Sequence, residues 1–116
     1  MNVLNVLDNE EFSSRVAAIE EKLYERGFLV SAIGDSEAEV QIGYEMYEED
    51  GEEGPYVVIR IVSEDVQYED EEKFEEISDF VNEKLNDALD GMPEDLRNAA
   101  YDVYGQFVLL NGRKVY

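Results

Sequence analysis

Residues 70–90 read DEEKFEEISDFVNEKLNDALD. The apolar residues of this stretch recur every three or four positions, which is the spacing of one face of an α-helix. They are Phe74, Ile77, Val81, Leu85 and Ala88. Gly91 follows, and glycine readily adopts the left-handed conformation that ends a helix. The stretch therefore predicts a long amphipathic helix whose apolar face packs on a core.

An N-terminal helix is predicted over residues 9–26. Asp8 and Glu11 have the spacing of a capping box, in which each side chain satisfies a free N–H of the first turn. Its apolar stripe is Phe12, Val16, Ile19 and Leu23. Gly27 provides the stop.

Three strands are predicted between the two helices. The short apolar run 28–33 predicts the first strand, and the alternating segments 40–46 and 56–63 predict two more. The acidic residues 48–55 between the last two read as an exposed hairpin loop. We expect these strands to form a three-stranded antiparallel meander.

Downstream of the long helix, Pro93 favours a short helix reaching about Tyr104. Asn111-Gly112 then lies between two β-prone segments, which is a strong hairpin signal. The predicted fold class is α+β, with a single domain over residues 1–116. It comprises an N-terminal helix, the meander, one long acidic helix, a short helix and a C-terminal β-hairpin or strand.

The composition excludes most catalytic chemistry. The 116 residues contain 30 acidic and nine basic side chains, a net charge of -21, and neither histidine nor cysteine. Thiolate nucleophiles, the usual general base and the common zinc ligands are therefore missing. We expect a protein that is not an enzyme and needs neither a cofactor nor a metal.

The same charge indicates the kind of partner. Phosphates repel so negative a chain, so direct binding to nucleic acid or to an anionic membrane is not expected. The partner should instead carry a basic, nucleic-acid-binding surface. Residues 1–7 lack the pattern of a secretory signal, and no apolar run approaches a membrane span, so we expect a cytoplasmic protein.

The acidic residues are concentrated on one face of the predicted long helix. At about 100° per residue, seven carboxylates fall within an arc of about 120°, while Lys73 and Lys84 fall beside the apolar stripe. The seven are Glu72, Glu75, Glu76, Asp79, Glu83, Asp87 and Asp90. Like charges four residues apart disfavour a helix by about 0.2–0.5 kcal/mol per pair. Such a face indicates either a mimic of nucleic-acid phosphates or a merely solvated surface.

A second contact is predicted in the acidic loop, at Glu48, Glu49 and Asp50, with Tyr68 at the border of the acidic segment. The loop could alternatively bind a calcium ion weakly at its surface, but the positions of its glycines do not fit an EF-hand. Tyr68 could equally be a packing aromatic.

Residues 68–74, YEDEEKF, resemble the acidic helix start of small phage anti-CRISPR proteins that inhibit Cas9. The predicted order of one helix, three strands and further helices is also similar to that type. The resemblance implies a stoichiometric inhibitor whose carboxylates occupy a DNA-binding groove, located in the host cytoplasm if it is phage-encoded. Other phage DNA mimics, including anti-restriction proteins and glycosylase inhibitors, fit the same description.

An alternative comes from another class. Small acidic α/β proteins with an N-terminal amphipathic helix also resemble type III secretion chaperones, in which an apolar face binds an effector segment and the charge serves solubility. Halophilic adaptation is a third explanation of the charge. The sequence leaves open a monomer or a homodimer, and it does not identify the target.

Overall fold

The computed structural model describes residues 1–116 and contains four α-helices and four strands. A short 3-10 helix, Val3–Asp8, precedes them. In chain order the elements are α1 (Glu10–Glu25), α2 (Phe28–Ile33), β1 (Glu39–Glu49), β2 (Glu52–Val62), α3 (Glu71–Leu89), α4 (Glu94–Tyr101), β3 (Gly105–Leu110) and β4 (Arg113–Lys114). The predicted α+β class is confirmed.

Helix α1 forms where it was predicted, but its cap is Asn9 and not Asp8. The Asn9 Oδ1 accepts a hydrogen bond from the Phe12 N–H at 2.9 Å. Asp8 is instead the last residue of the 3-10 helix. The expected capping box is therefore wrong, because Asp8 belongs to the preceding turn and Phe12 has no polar side chain to complete a box with Asn9.

The segment predicted as the first strand is the helix α2. Gly27 and Gly34 adopt left-handed conformations at its two ends, with φ of 70° and 76°. Leu29, Ala32 and Ile33 are buried, which is helical spacing, whereas Val30 faces solvent. A short apolar run fits either structure, and here the two glycine turns select a helix.

Strands β1 and β2 form a long antiparallel hairpin that leaves no room for the predicted acidic loop. Pairing continues to Glu49 opposite Glu52, and only Asp50-Gly51 forms the turn. Both turn residues have positive φ, 54° and 82°, as in the tight turns that Asp-Gly favours. The loop prediction was wrong because the five acidic side chains were taken to indicate an exposed loop, whereas the Asp50-Gly51 dipeptide indicates a two-residue turn.

The sheet is mixed, so the predicted meander is also wrong. Its order is β1-β2-β3-β4, and β3 lies parallel to β2 after the chain has passed through α3 and α4. Strands β3 and β4 pair in an antiparallel hairpin. Asn111-Gly112 forms its turn at φ of 50° and 84°, which confirms the predicted C-terminal hairpin.

The helices cover one face of the sheet. A core of 29 buried residues unites the apolar stripes of α1 and α3 with the inward-facing side chains of β1, β2 and β3. All five predicted core residues of α3 are in it: Phe74, Ile77, Val81, Leu85 and Ala88. Burying each large side chain contributes about 1.5–3 kcal/mol, so this core fixes the orientation of α3.

The opposite face of the sheet carries a smaller apolar cluster without a covering layer of helices. It consists of Val58, Phe107 and Leu109, which are at most 3% exposed. Tyr47 and Tyr56 pack on it. The sheet therefore covers its own outer face with aromatic side chains.

Candidate functional site

Helix α3 holds its acidic side chains on the solvent side, as the sequence predicts. Asp70 caps the helix, and its Oδ1 accepts from the Glu72 N–H at 3.1 Å. All seven carboxylates of the predicted arc are exposed: Glu72, Glu75, Glu76, Asp79, Glu83, Asp87 and Asp90. The first six lie within the helix, and Asp90 is its C-cap. The arc is therefore a real surface, which we call the α3 acidic face.

Two lysines reach this face from positions beside the apolar stripe. Lys73 Nζ lies 3.4 Å from a carboxylate oxygen of Glu76, and Lys84 Nζ lies 3.9 Å from one of Asp87. Each lysine reaches the arc because it is three residues from its partner on the helix surface. Both pairs are solvent-exposed, where ion pairs contribute about 0.2–1 kcal/mol.

Four carboxylates in the middle and at the N-terminal end of the face have no ion-pair partner. They are Glu72, Glu75, Asp79 and Glu83. The six ion pairs of the chain all use other acidic residues. The paired basic side chains thus bind other acidic residues, and this stretch of negative charge has no compensating cation.

A cation from another helix stabilises the end of α3. No basic residue lies in the last turn of α3, although its carbonyl groups carry partial negative charge. Arg15 of α1 supplies the positive charge at this end, since its NH1 donates to the carbonyl oxygens of Ala88 and Asp90, both at 2.8 Å. The Arg15 guanidinium also pairs with Glu11 at 2.9 Å. The sequence placed Arg15 on α1 but gave no sign of this role.

The predicted second contact lies at the end of the β1–β2 hairpin. Glu48 and Asp50 are exposed and make no ion pair, whereas Glu49 pairs with Lys114. In the hairpin, Glu48 lies opposite Glu53 and Glu49 opposite Glu52. Like charges directly opposite each other disfavour pairing.

Strand β4 lies between the acidic hairpin end and the segment that leads into α3. Tyr47, next to the hairpin end, packs on Phe107 of the outer sheet face, with ring centroids 4.6 Å apart, whereas α3 packs on the inner face. The basic residues of β4 lie between them, since Arg113 pairs with Glu69 and Lys114 with Glu49. Positive charge on β4 thus separates the acidic hairpin end from Glu69, just before α3.

Tyr68 is half-exposed but already has a structural role. Its hydroxyl donates to the Val30 carbonyl oxygen. Its ring lies against Gly34, where a Cβ atom would come within 2.9 Å of it. Tyr68 thus fixes the segment before α3 to α2, while 48% of its surface remains exposed.

Two carboxyl groups with shifted pKa values lie away from α3. Burial raises the pKa of Glu20 on α1, and the hydrogen bond from the Ile42 N–H opposes this only in part. Hydrogen bonds from the Ser63 hydroxyl and the Glu37 N–H lower the pKa of Asp35. Neither carboxyl group is placed with others as a metal-binding set, since no three acidic side chains of the chain converge in this way.

Comparisons with known proteins identify no relative of this chain. No model of a protein family matches the chain, and neither a characterised protein nor a solved structure shows significant similarity to it. Among the helices, none combines the length and the apolar character needed to span a bilayer. The part of the anti-CRISPR resemblance that depends on one helix followed by three strands does not hold, because α2 replaces the first strand.

Proposed function

We propose that this protein is an inhibitor that binds the basic nucleic-acid-binding site of a nuclease or another DNA-binding protein. The α3 acidic face would occupy the place of nucleic-acid phosphates, and no catalysis is involved. The observation that carries the proposal is the exposure of all seven carboxylates on one helix and its C-cap, five of them without an ion pair.

The charge density of the face supports this proposal. From Glu72 to Asp90 the helix extends about 27 Å at 1.5 Å per residue. A single nucleic-acid strand has about eight phosphates over that length, and a duplex about sixteen. Seven carboxylates are thus close to the density of one strand, and a basic groove that follows one strand would meet a similar row of charges.

The energetic cost of the face is a further argument against a merely solvated surface. Four pairs of like charges lie four residues apart on it: Glu72–Glu76, Glu75–Asp79, Asp79–Glu83 and Glu83–Asp87. Each disfavours the helix by about 0.2–0.5 kcal/mol. A cationic partner would remove this repulsion on binding, so the cost in the free protein becomes a gain in the complex.

The chaperone alternative finds no specific support. It requires an exposed apolar face for an effector segment, whereas Val58, Phe107 and Leu109 on the outer sheet face are buried beneath tyrosines. The inner faces of α1 and α3 are in the core. Exposed apolar side chains such as Val30 and Met46 belong to different elements.

A competition experiment tests the proposal. Candidate basic DNA-binding proteins are loaded with a fluorescent duplex, and displacement of the duplex by this protein is followed by anisotropy over a salt series. We expect displacement that weakens with salt, because association is steered by charge. The variant Glu75→Lys/Asp79→Lys/Glu83→Lys should abolish it, since these three carboxylates have no ion pair of their own.

The control variant changes the net charge by the same amount on another helix. Glu10, Glu21 and Glu25 of α1 are exposed, and their reversal to lysine should leave most of the displacement intact. Equal loss in both variants would show that overall charge and not the α3 acidic face is responsible. Displacement that persists at 1 M salt would instead favour an apolar contact of the chaperone kind.

A further inference from the structure

The end of the β1–β2 hairpin is less firmly attached to the sheet than the rest of it. Strand β3 pairs with β2 only from Tyr56 to Ile61. Residues 46–55 therefore extend beyond the four-stranded part, and the last backbone contact to the following segment is the Tyr104 N–H donating to the Pro55 carbonyl oxygen at 2.8 Å.

This hairpin end bends across the outer face of the sheet. Lys114 of β4 lies opposite Leu109, which is aligned through Arg60 with Gln41 of β1. Glu49 is eight residues beyond Gln41 on the same strand, or about 26 Å in an extended chain. Lys114 and Glu49 nevertheless form an ion pair, which requires the hairpin to fold back over β3.

The bent hairpin covers the small apolar cluster. The Tyr47 and Tyr56 rings lie 4.6 and 5.3 Å from the Phe107 ring, and Lys114 Nζ lies 5.6 Å from the centre of the same ring. Phe107 and Val58 are no more than 2% exposed as a result. No helix lies on this face, so side chains of the strands themselves, among them Tyr47 of the hairpin end, cover the cluster.

Two opposing effects act on the hairpin end. Burial of the aromatic rings favours the bent form, at about 0.5–1.5 kcal/mol for an aromatic pair beyond the area buried. The like-charged pairs Glu48–Glu53 and Glu49–Glu52 weaken the pairing of β1 with β2 at this end. Gly43 lies on β1 just before the hairpin end, and Gly54 lies within it on β2. A side chain at position 54 would collide with the Tyr104 ring.

We propose that residues 46–55 form a hinged strap that opens and closes over the Val58–Phe107–Leu109 cluster, with the Lys114–Glu49 ion pair as its latch. Opening uncovers an apolar surface without unfolding the main core, because α1, α2 and α3 pack only on the other face of the sheet. This inference does not depend on the proposed function, since the α3 acidic face takes no part in it.

The lack of cysteine in the chain allows a direct test by thiol labelling. Val58→Cys places a thiol beneath the strap, and Ile59→Cys places one on the next residue of β2, in the main core. Under native conditions we expect the cysteine at position 58 to react with a thiol reagent at least tenfold faster than the one at position 59. Equal rates would mean that only global unfolding exposes the cluster, and would overturn the strap.

The role of the Lys114–Glu49 ion pair is tested in the same two cysteine variants. Lys114→Gln should accelerate labelling at position 58 by about threefold, as expected for the loss of an exposed ion pair, and leave position 59 unchanged. Lys84→Gln is the matched control, because Lys84 also pairs with a carboxylate and also lies over an aromatic ring, that of Phe80. It should affect neither rate.

The exchange Glu49→Lys/Lys114→Glu should restore slow labelling at position 58. An unchanged rate in Lys114→Gln, or no restoration by the exchange, would show that the ion pair is not the latch. If Val58→Cys fails to fold, Leu109→Cys on β3 reports on the same cluster, with the same expected outcomes.

Discussion

The two acidic regions of this protein use their charge differently. Helix α3 is anchored by Phe74 and its neighbours in the main core, and five carboxylates of its acidic face have no ion pair. The hairpin end lies on the small outer cluster, and Glu49 is paired with Lys114. Acidity alone therefore does not define a binding surface. What distinguishes α3 is a rigid support beneath uncompensated charge.

The largest expected effect concerns that support. Phe74 is 1% exposed in the core, and Phe74→Ala should lower the free energy of unfolding by about 3–5 kcal/mol because it leaves a cavity. Tyr47→Ala, in the hairpin end, should cost clearly less, since Tyr47 is only partly buried. Urea denaturation of both variants measures this. Equal losses would mean that the two regions are equally well anchored.

A smaller effect concerns the unpaired charge itself. Asp79 lies four residues from both Glu75 and Glu83, so Asp79→Lys replaces two repulsions by attractions and should stabilise the protein by roughly 1 kcal/mol at low salt. Asp79→Asn, which only removes the repulsions, should give about half of that. Both gains should shrink in 1 M salt. Destabilisation by either variant would contradict the view that the α3 acidic face is costly to the free protein.

The smallest effect concerns a carboxyl group outside both regions. Burial raises the pKa of Glu20 above its ordinary value. Its ionised form is therefore disfavoured by folding, so its unfavourable contribution is present above the raised pKa and disappears as the pH falls below the ordinary one. Glu20→Gln should stabilise the protein slightly at pH 7 and not at pH 3. Glu21→Gln, exposed on the same helix, should show no such difference between denaturation curves at the two pH values.

Periodicity was enough to predict the long elements. Helices α1 and α3 and the C-terminal hairpin follow from apolar spacing and from Asn111-Gly112, because local sequence determines them. The α3 acidic face follows from the same helical geometry. These features required no knowledge of distant contacts.

The remaining features depend on contacts between distant residues. The parallel pairing of β3 with β2 and the bend of the hairpin over β3 join segments about fifty residues apart, and no local pattern encodes either. Arg15 at the end of α3 and Lys114 at Glu49 are of the same kind. Local sequence was misread at α2, since a six-residue apolar run between two glycines fits a strand or a helix, and also at the cap of α1 and at the Asp50-Gly51 turn.

The central position of β3 has a consequence for how the protein is made. The edge of β2 opposite β1 stays without a partner until residues 105–110 have been synthesised, more than forty residues after β2 itself. Until then Val57 to Ile61, a run of β-prone residues, presents open backbone groups of the kind that promote aggregation. The acidic residues on either side of that run disfavour such association, because like charges repel each other.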